Sequence, residues 1–114
     1  MPPIVLTIGG SDSGGGAGIQ ADIKTFSVLG LHGTSALTAI TAQNTLGVEQ
    51  VFGLGADAVK AQLKAITDDF TVAAAKTGML YSAEIVETVA EHLRDRDILL
   101  AGGLLSYPRG KAHG

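Results

Sequence analysis

The chain has 114 residues, 46% hydrophobic but only 4% aromatic, with a formal net charge of −3. That balance, with lysines scattered rather than clustered, argues against a nucleic-acid footprint, and the absence of cysteine excludes disulfides and thiolate metal sites. No stretch reaches the roughly 20 apolar residues of a membrane span, and the opening "MPPIVLTIGG" lacks the basic start of a secretory leader, so a cytoplasmic location is expected.

The length suits one domain, and an aliphatic composition suits helices stacked on a parallel sheet. In chain order, "IVLTI" (4–8) is a β-branched run ended by glycines and reads as a buried strand. The loop "GGSDSGGGAG" is expected to follow. "AGIQADIKTFSVLG" (17–30) places Ile19, Ile23 and Phe26 on one helical face with Leu29 flanking it, and Gly30 sits where a helix end favours a left-handed residue. "SALTAITA" (35–42) is a second strand candidate whose alanines leave a helix open, and "VEQVFGL" (48–54) is a third, short one.

"ADAVKAQLKAITDDF" (56–70) repeats Val59, Leu63 and Ile66 at a helical period, with Asp57 expected as its cap. "TVAAAKTG" (71–78) reads as a small buried strand. "SAEIVETVAEHLRDRD" (82–97) aligns Ile85, Val86, Val89 and Leu93, with Ser82 as N-cap, Glu84 in the first turn and Arg94 and Arg96 near the end. "ILLAGGLL" (98–105) begins one more strand, and "SYPRGKAHG" (106–114) reads as a frayed tail. Strands alternating with helices of this length predict a three-layer α/β domain with a mostly parallel sheet.

Six glycines between residues 9 and 22 suggest a loop that brings backbone close to a ligand. Two nucleotide motifs fail there. A P-loop needs a lysine and then Ser or Thr after its last glycine, but Gly15 is followed by Gly16. The dinucleotide fingerprint fails because Ile19 stands where the third glycine belongs. A plain strand-to-helix connection remains one reading. Asp12, Asp22 and a helix N-terminus with free N–H groups favour a polar ligand instead.

Together, "TIGGSDSGGGAGIQADIKTF", "TAITAQNTLGV" and "AAKTGML" resemble three consecutive motifs of the hydroxymethylpyrimidine/phosphomethylpyrimidine kinases, over positions 4 to about 96. The resemblance implies a ribokinase-like fold and ATP-dependent phosphoryl transfer, with magnesium, to a small pyrimidine in thiamine biosynthesis. It implies that Gly10 makes a backbone contact to the substrate, that Asp22 and Gln43 hydrogen-bond the ring, and that Met79 makes an apolar contact. Taken alone, Asp22 also reads as a first-turn carboxylate favoured by the helix dipole, Gln43 as a turn residue and Met79 as core. Lys76 could meet an anion, but a solvated lysine is the commoner case. His32, His92 and His113 form no spaced ligand set.

The resemblance stops after the third helix. The family continues with an Asp-Pro-Val segment and a glycine-rich anion hole carrying the catalytic base and the ATP site, whereas this chain reads "DILLAGGLLSYPRG". The expectation is therefore an N-terminal part of the kinase domain over residues 1–97 and a divergent strand and tail over 98–114, with no ATP site and little or no transfer by the chain alone. A parallel sheet cut after three or four strands would leave an apolar edge beyond residues 98–100, so a homo-oligomer is expected. The alternatives are a non-catalytic pyrimidine-binding or interaction half-domain and a non-functional remnant.

Overall fold

The structure, a computed structural model, describes residues 2–102. The run of β-branched residues at the start does form a strand, but β1 spans Ile4–Asp12, through both glycines and Ser11. The loop expected from Gly9 onward therefore begins only after Asp12. The cause is non-local: β2 (His32–Asn44) runs parallel alongside and supplies a ladder for Gly9 to Asp12, with a bulge between Gly9 and Gly10. That pairing also decides "SALTAITA", which is strand and not helix.

After β1, α1 covers Gly18–Val28 and ends with Gly30 at φ 77°, the left-handed conformation anticipated there. Ile23 and Phe26 are half-buried, packing where a Cβ at Gly33 of β2 would collide with them. Leu29 does not join that face: it is the C-cap and 66% exposed.

β3 (Gly47–Gly53) folds back antiparallel on β2 as a hairpin, and all seven of its residues are exposed. Where β3 ends, the side chain of Gln62 takes over as a one-residue strand mimic. Its Oε1 accepts from Leu37 N–H at 2.8 Å and its Nε2 donates to Leu37 C=O at 2.9 Å.

Gln62 lies on α2 (Ala56–Asp69). The N-cap of α2 is Gly55, whose carbonyl accepts from Ala58 and Val59, so Asp57 does not cap it. Asp57 instead occupies the first turn, where its charge complements the helix dipole. β4 (Val72–Thr77) follows, then α3 (Ala83–Leu93), and here Ser82 is the N-cap, accepting from Ile85 N–H at 3.2 Å. β5 (Leu99–Gly102) pairs parallel with β4. The expected tail (106–114) lies outside the described residues.

The sheet order is β3-β2-β1-β4-β5, parallel except for β3. Alternation along β1 divides the layers. Ile4, Leu6 and Ile8 point to the side covered by α2 and α3, where they cluster with Val59, Leu63, Ile85, Val89 and Leu93. Each fully buried Leu or Ile in this cluster contributes about 1.5–3 kcal/mol. Thr7 points to the other side, toward α1. No helix among the described residues is long and apolar enough to cross a membrane.

Candidate functional site

The carboxyl ends of β1, β2 and β4, with the start of α1, surround a cleft of about 340 Å³. Clefts outside the carboxyl ends of parallel strands are the usual ligand sites of open α/β sheets. Gly10, Asp22, Gln43 and Met79, drawn from four separate elements or loops, all line it.

The glycine-rich turn is organised by Asp12. Its carboxylate is 5% exposed and accepts from the N–H groups of Gly14 (2.7 Å), Gly16 (2.9 Å) and Ala17 (2.8 Å). Gln20 folds back beside it, accepting from Asp12 N–H at 2.8 Å and donating to Ser11 Oγ at 2.7 Å. These N–H groups are thus spent on an internal carboxylate, which occupies the place a phosphate would take in a nucleotide loop. Gly18 closes the turn at φ 63°, where a Cβ would stand 2.4 Å from the carbonyl oxygen of Gly10.

Asp22 is the fifth residue of α1, one turn further in than a dipole-stabilised first-turn carboxylate. Its partners are lateral. Thr7 Oγ1, fully buried, donates to Oδ2 at 2.6 Å, and Lys76 Nζ lies 2.9 Å from Oδ1 and 3.0 Å from Oδ2. Gln43 sits near the end of β2, its backbone tied to Ser13: its N–H donates to Ser13 Oγ at 2.8 Å, and that hydroxyl donates to its carbonyl. Its Oε1 is 3.0 Å from the Thr41 hydroxyl, which donates to Ser11 C=O at 2.6 Å. Met79 is 45% exposed, its carbonyl fixed by Thr38 Oγ1 at 2.6 Å. A Cβ at Gly10 would come within 2.6 Å of Met79 Cε, so the bare glycine leaves that wall for the methionine. Val48 and Val51 of β3 add a further apolar wall.

The arrangement offers a carboxylate acceptor, an amide with both donor and acceptor, and apolar surfaces, which suits a flat polar heterocycle. Sequence reasoning gave no role to Thr7, Thr41, Val48 or Val51, and left Lys76 as a solvated lysine. The one local signal was the polar residue in "IVLTI": Thr7 breaks an otherwise aliphatic strand.

The family model described as phosphomethylpyrimidine kinase matches residues 12–101. The hydroxymethylpyrimidine/phosphomethylpyrimidine kinase of Streptomyces coelicolor is 62% identical over 96 residues, which cover 84% of this chain and 36% of that protein. The kinase of the same name from Haemophilus influenzae is 59% identical over 92 residues, 81% of this chain and 34% of that protein. Among solved structures, the phosphomethylpyrimidine kinase of Clostridium difficile superposes with a TM-score of 0.80 at 46% identity, covering 86% of this chain and 44% of that one. The pyridoxal kinase of Staphylococcus aureus in complex with pyridoxal gives 0.79 at 36% identity, covering 89% and 38%. The chain spans about a third of the length of the curated relatives it matches.

Proposed function

The chain belongs to the phosphomethylpyrimidine kinase family, with its three-layer ribokinase-like fold, and on that premise we propose that these residues form the acceptor side of an ATP-dependent kinase. Their task is to bind and orient hydroxymethylpyrimidine or its monophosphate for phosphoryl transfer in thiamine biosynthesis. The observation that carries this reading is the convergence of Gly10, Asp22, Gln43 and Met79 on one cleft. Asp22 accepts from the exocyclic amine, Gln43 pairs with a ring nitrogen, Met79 lies against the ring, and Gly10 brings backbone to its edge. A polar ring atom left unpaired in such a cleft costs about 1–3 kcal/mol, enough to select one heterocycle over its isosteres.

The glycine turn is not a cradle for the phosphates of the donor, ATP with magnesium, because the N–H groups of Gly14, Gly16 and Ala17 are taken by Asp12. The donor site belongs, in this reading, to parts of the family fold outside the third that the chain matches. That same asymmetry favours a second reading, a pyrimidine-binding module without transfer of its own. A cytoplasmic location goes with either, since ATP and the free pyrimidine meet there. The exposed apolar pair Ile40 and Phe52, opposite each other on β2 and β3, supports a homo-oligomer; sedimentation velocity giving only monomer at tens of micromolar would remove that part of the proposal.

Calorimetric titration with hydroxymethylpyrimidine tests the binding claim. Saturable binding is expected, weakened about tenfold by Gln43→Ala, the equivalent of 1.4 kcal/mol. Binding that Gln43→Ala leaves unchanged would refute the assignment. A mass-spectrometric assay for phosphate ester with Mg-ATP then separates the two readings: ester formation supports the kinase, and binding without ester supports the module.

A further inference from the structure

We infer that Lys76 is a positioning residue for the ligand, acting through Asp22; the inference rests on the reading above that Asp22 meets the pyrimidine. Lys76 stands opposite Thr7 in the β1–β4 register, so both side chains leave the sheet on the face that carries α1. They converge on the Asp22 carboxylate from two strands, Thr7 on Oδ2 and Lys76 on both oxygens.

The count of acceptor positions makes the arrangement directional. A carboxylate has about four lone-pair sites. Oδ2 receives Thr7 and Lys76, and Oδ1 receives Lys76 alone, which leaves an Oδ1 site for the cleft that Asp22 lines. Thr7 by itself would hold a single oxygen and leave the group free to pivot about it. The ammonium at 2.9 Å removes that freedom and balances the charge. The balance matters because a neutral heterocycle entering the cleft displaces water from an Asp22 side chain that is only 18% exposed, and an uncompensated carboxylate resists that loss. Lys76, 47% exposed, has room to act this way without being part of the core.

A thermodynamic cycle tests the coupling. Lys76→Met is expected to weaken hydroxymethylpyrimidine binding about tenfold, and Lys76→Arg to stay within about threefold of the native chain. In an Asp22→Ala background, Lys76→Met should then change affinity by less than about twofold. An equal loss in that background would overturn the inference, because Lys76 would be touching the ligand directly. No loss in the native background would overturn it too, leaving a solvated lysine. If the native chain does not bind the pyrimidine, or Asp22→Ala binds as well as native, it is the functional reading that fails. The positioning claim is still decided on the ligand-free protein, by NMR coupling constants across the Asp22 Cα–Cβ bond. One rotamer is expected in the native and Arg forms, with averaging in Lys76→Met. A single unchanged rotamer in Lys76→Met would overturn the positioning role.

Discussion

Among the residues, Asp12 and Gly18 do most to shape the site. Asp12 gathers three backbone N–H groups, and Gly18 lets α1 start within touching distance of Gly10. A composition rich in glycine was legible as a demand for close backbone approach. What is approached could not be read, because the partner is the chain itself. At Gly18 both the positive φ and the collision with Gly10 C=O forbid a side chain, whereas at Gly16 the nearest atom to a Cβ is Asp12 Oδ2 at 3.9 Å and φ is ordinary. Gly18→Ala should therefore lower stability by at least about 1–3 kcal/mol and Gly16→Ala by about 0.5 kcal/mol or less, read from chemical denaturation. Equal effects at the two positions would contradict this account of the turn. Lys76 escaped the sequence for a related reason: its partner is fifty-four positions away, and a lone lysine at a strand end carries no local mark of pairing.

At the scale of elements, helices were the more legible. The repeats Val59–Leu63 and Ile85–Val89–Leu93 are buried as their spacing predicts, since a helix sets its face by its own geometry. Strand limits were less so, because β1 and β2 extend each other beyond their β-branched runs. The α2–α3 contact adds a titratable element. His92 Nε2 lies 2.9 Å from Thr67 Oγ1, and burial, reinforced by the nearby Arg96 charge, holds the imidazole below its ordinary value of 6.5 against the opposing effect of Asp68. A group whose folded value is depressed protonates first in the unfolded chain, so its contribution is intact above about pH 6.5 and is lost as pH falls below it. The melting temperature should drop on acidification from about pH 7.5 to about pH 5.5, and His92→Gln, which keeps a partner for Thr67, should flatten that drop. An equally steep drop in the variant would assign the pH response to other groups.

For the whole molecule, the alternation of strands and helices announced three layers and a mostly parallel sheet. The strand order and the antiparallel hairpin of β3 were not announced, because they depend on which edges meet. Order is what makes the site: β1 at the centre, flanked by β2 and β4, brings Gly10, Gln43 and the loop carrying Met79 to one end of the sheet, where α1 delivers Asp22. The claim that this end is a pyrimidine cradle is tested most directly by a crystal structure of the chain grown with hydroxymethylpyrimidine. The ring is expected between Met79 and the Gly10 backbone, with its amine on Asp22 and a ring nitrogen on Gln43. Density for the ring elsewhere, with this cleft empty, would contradict it.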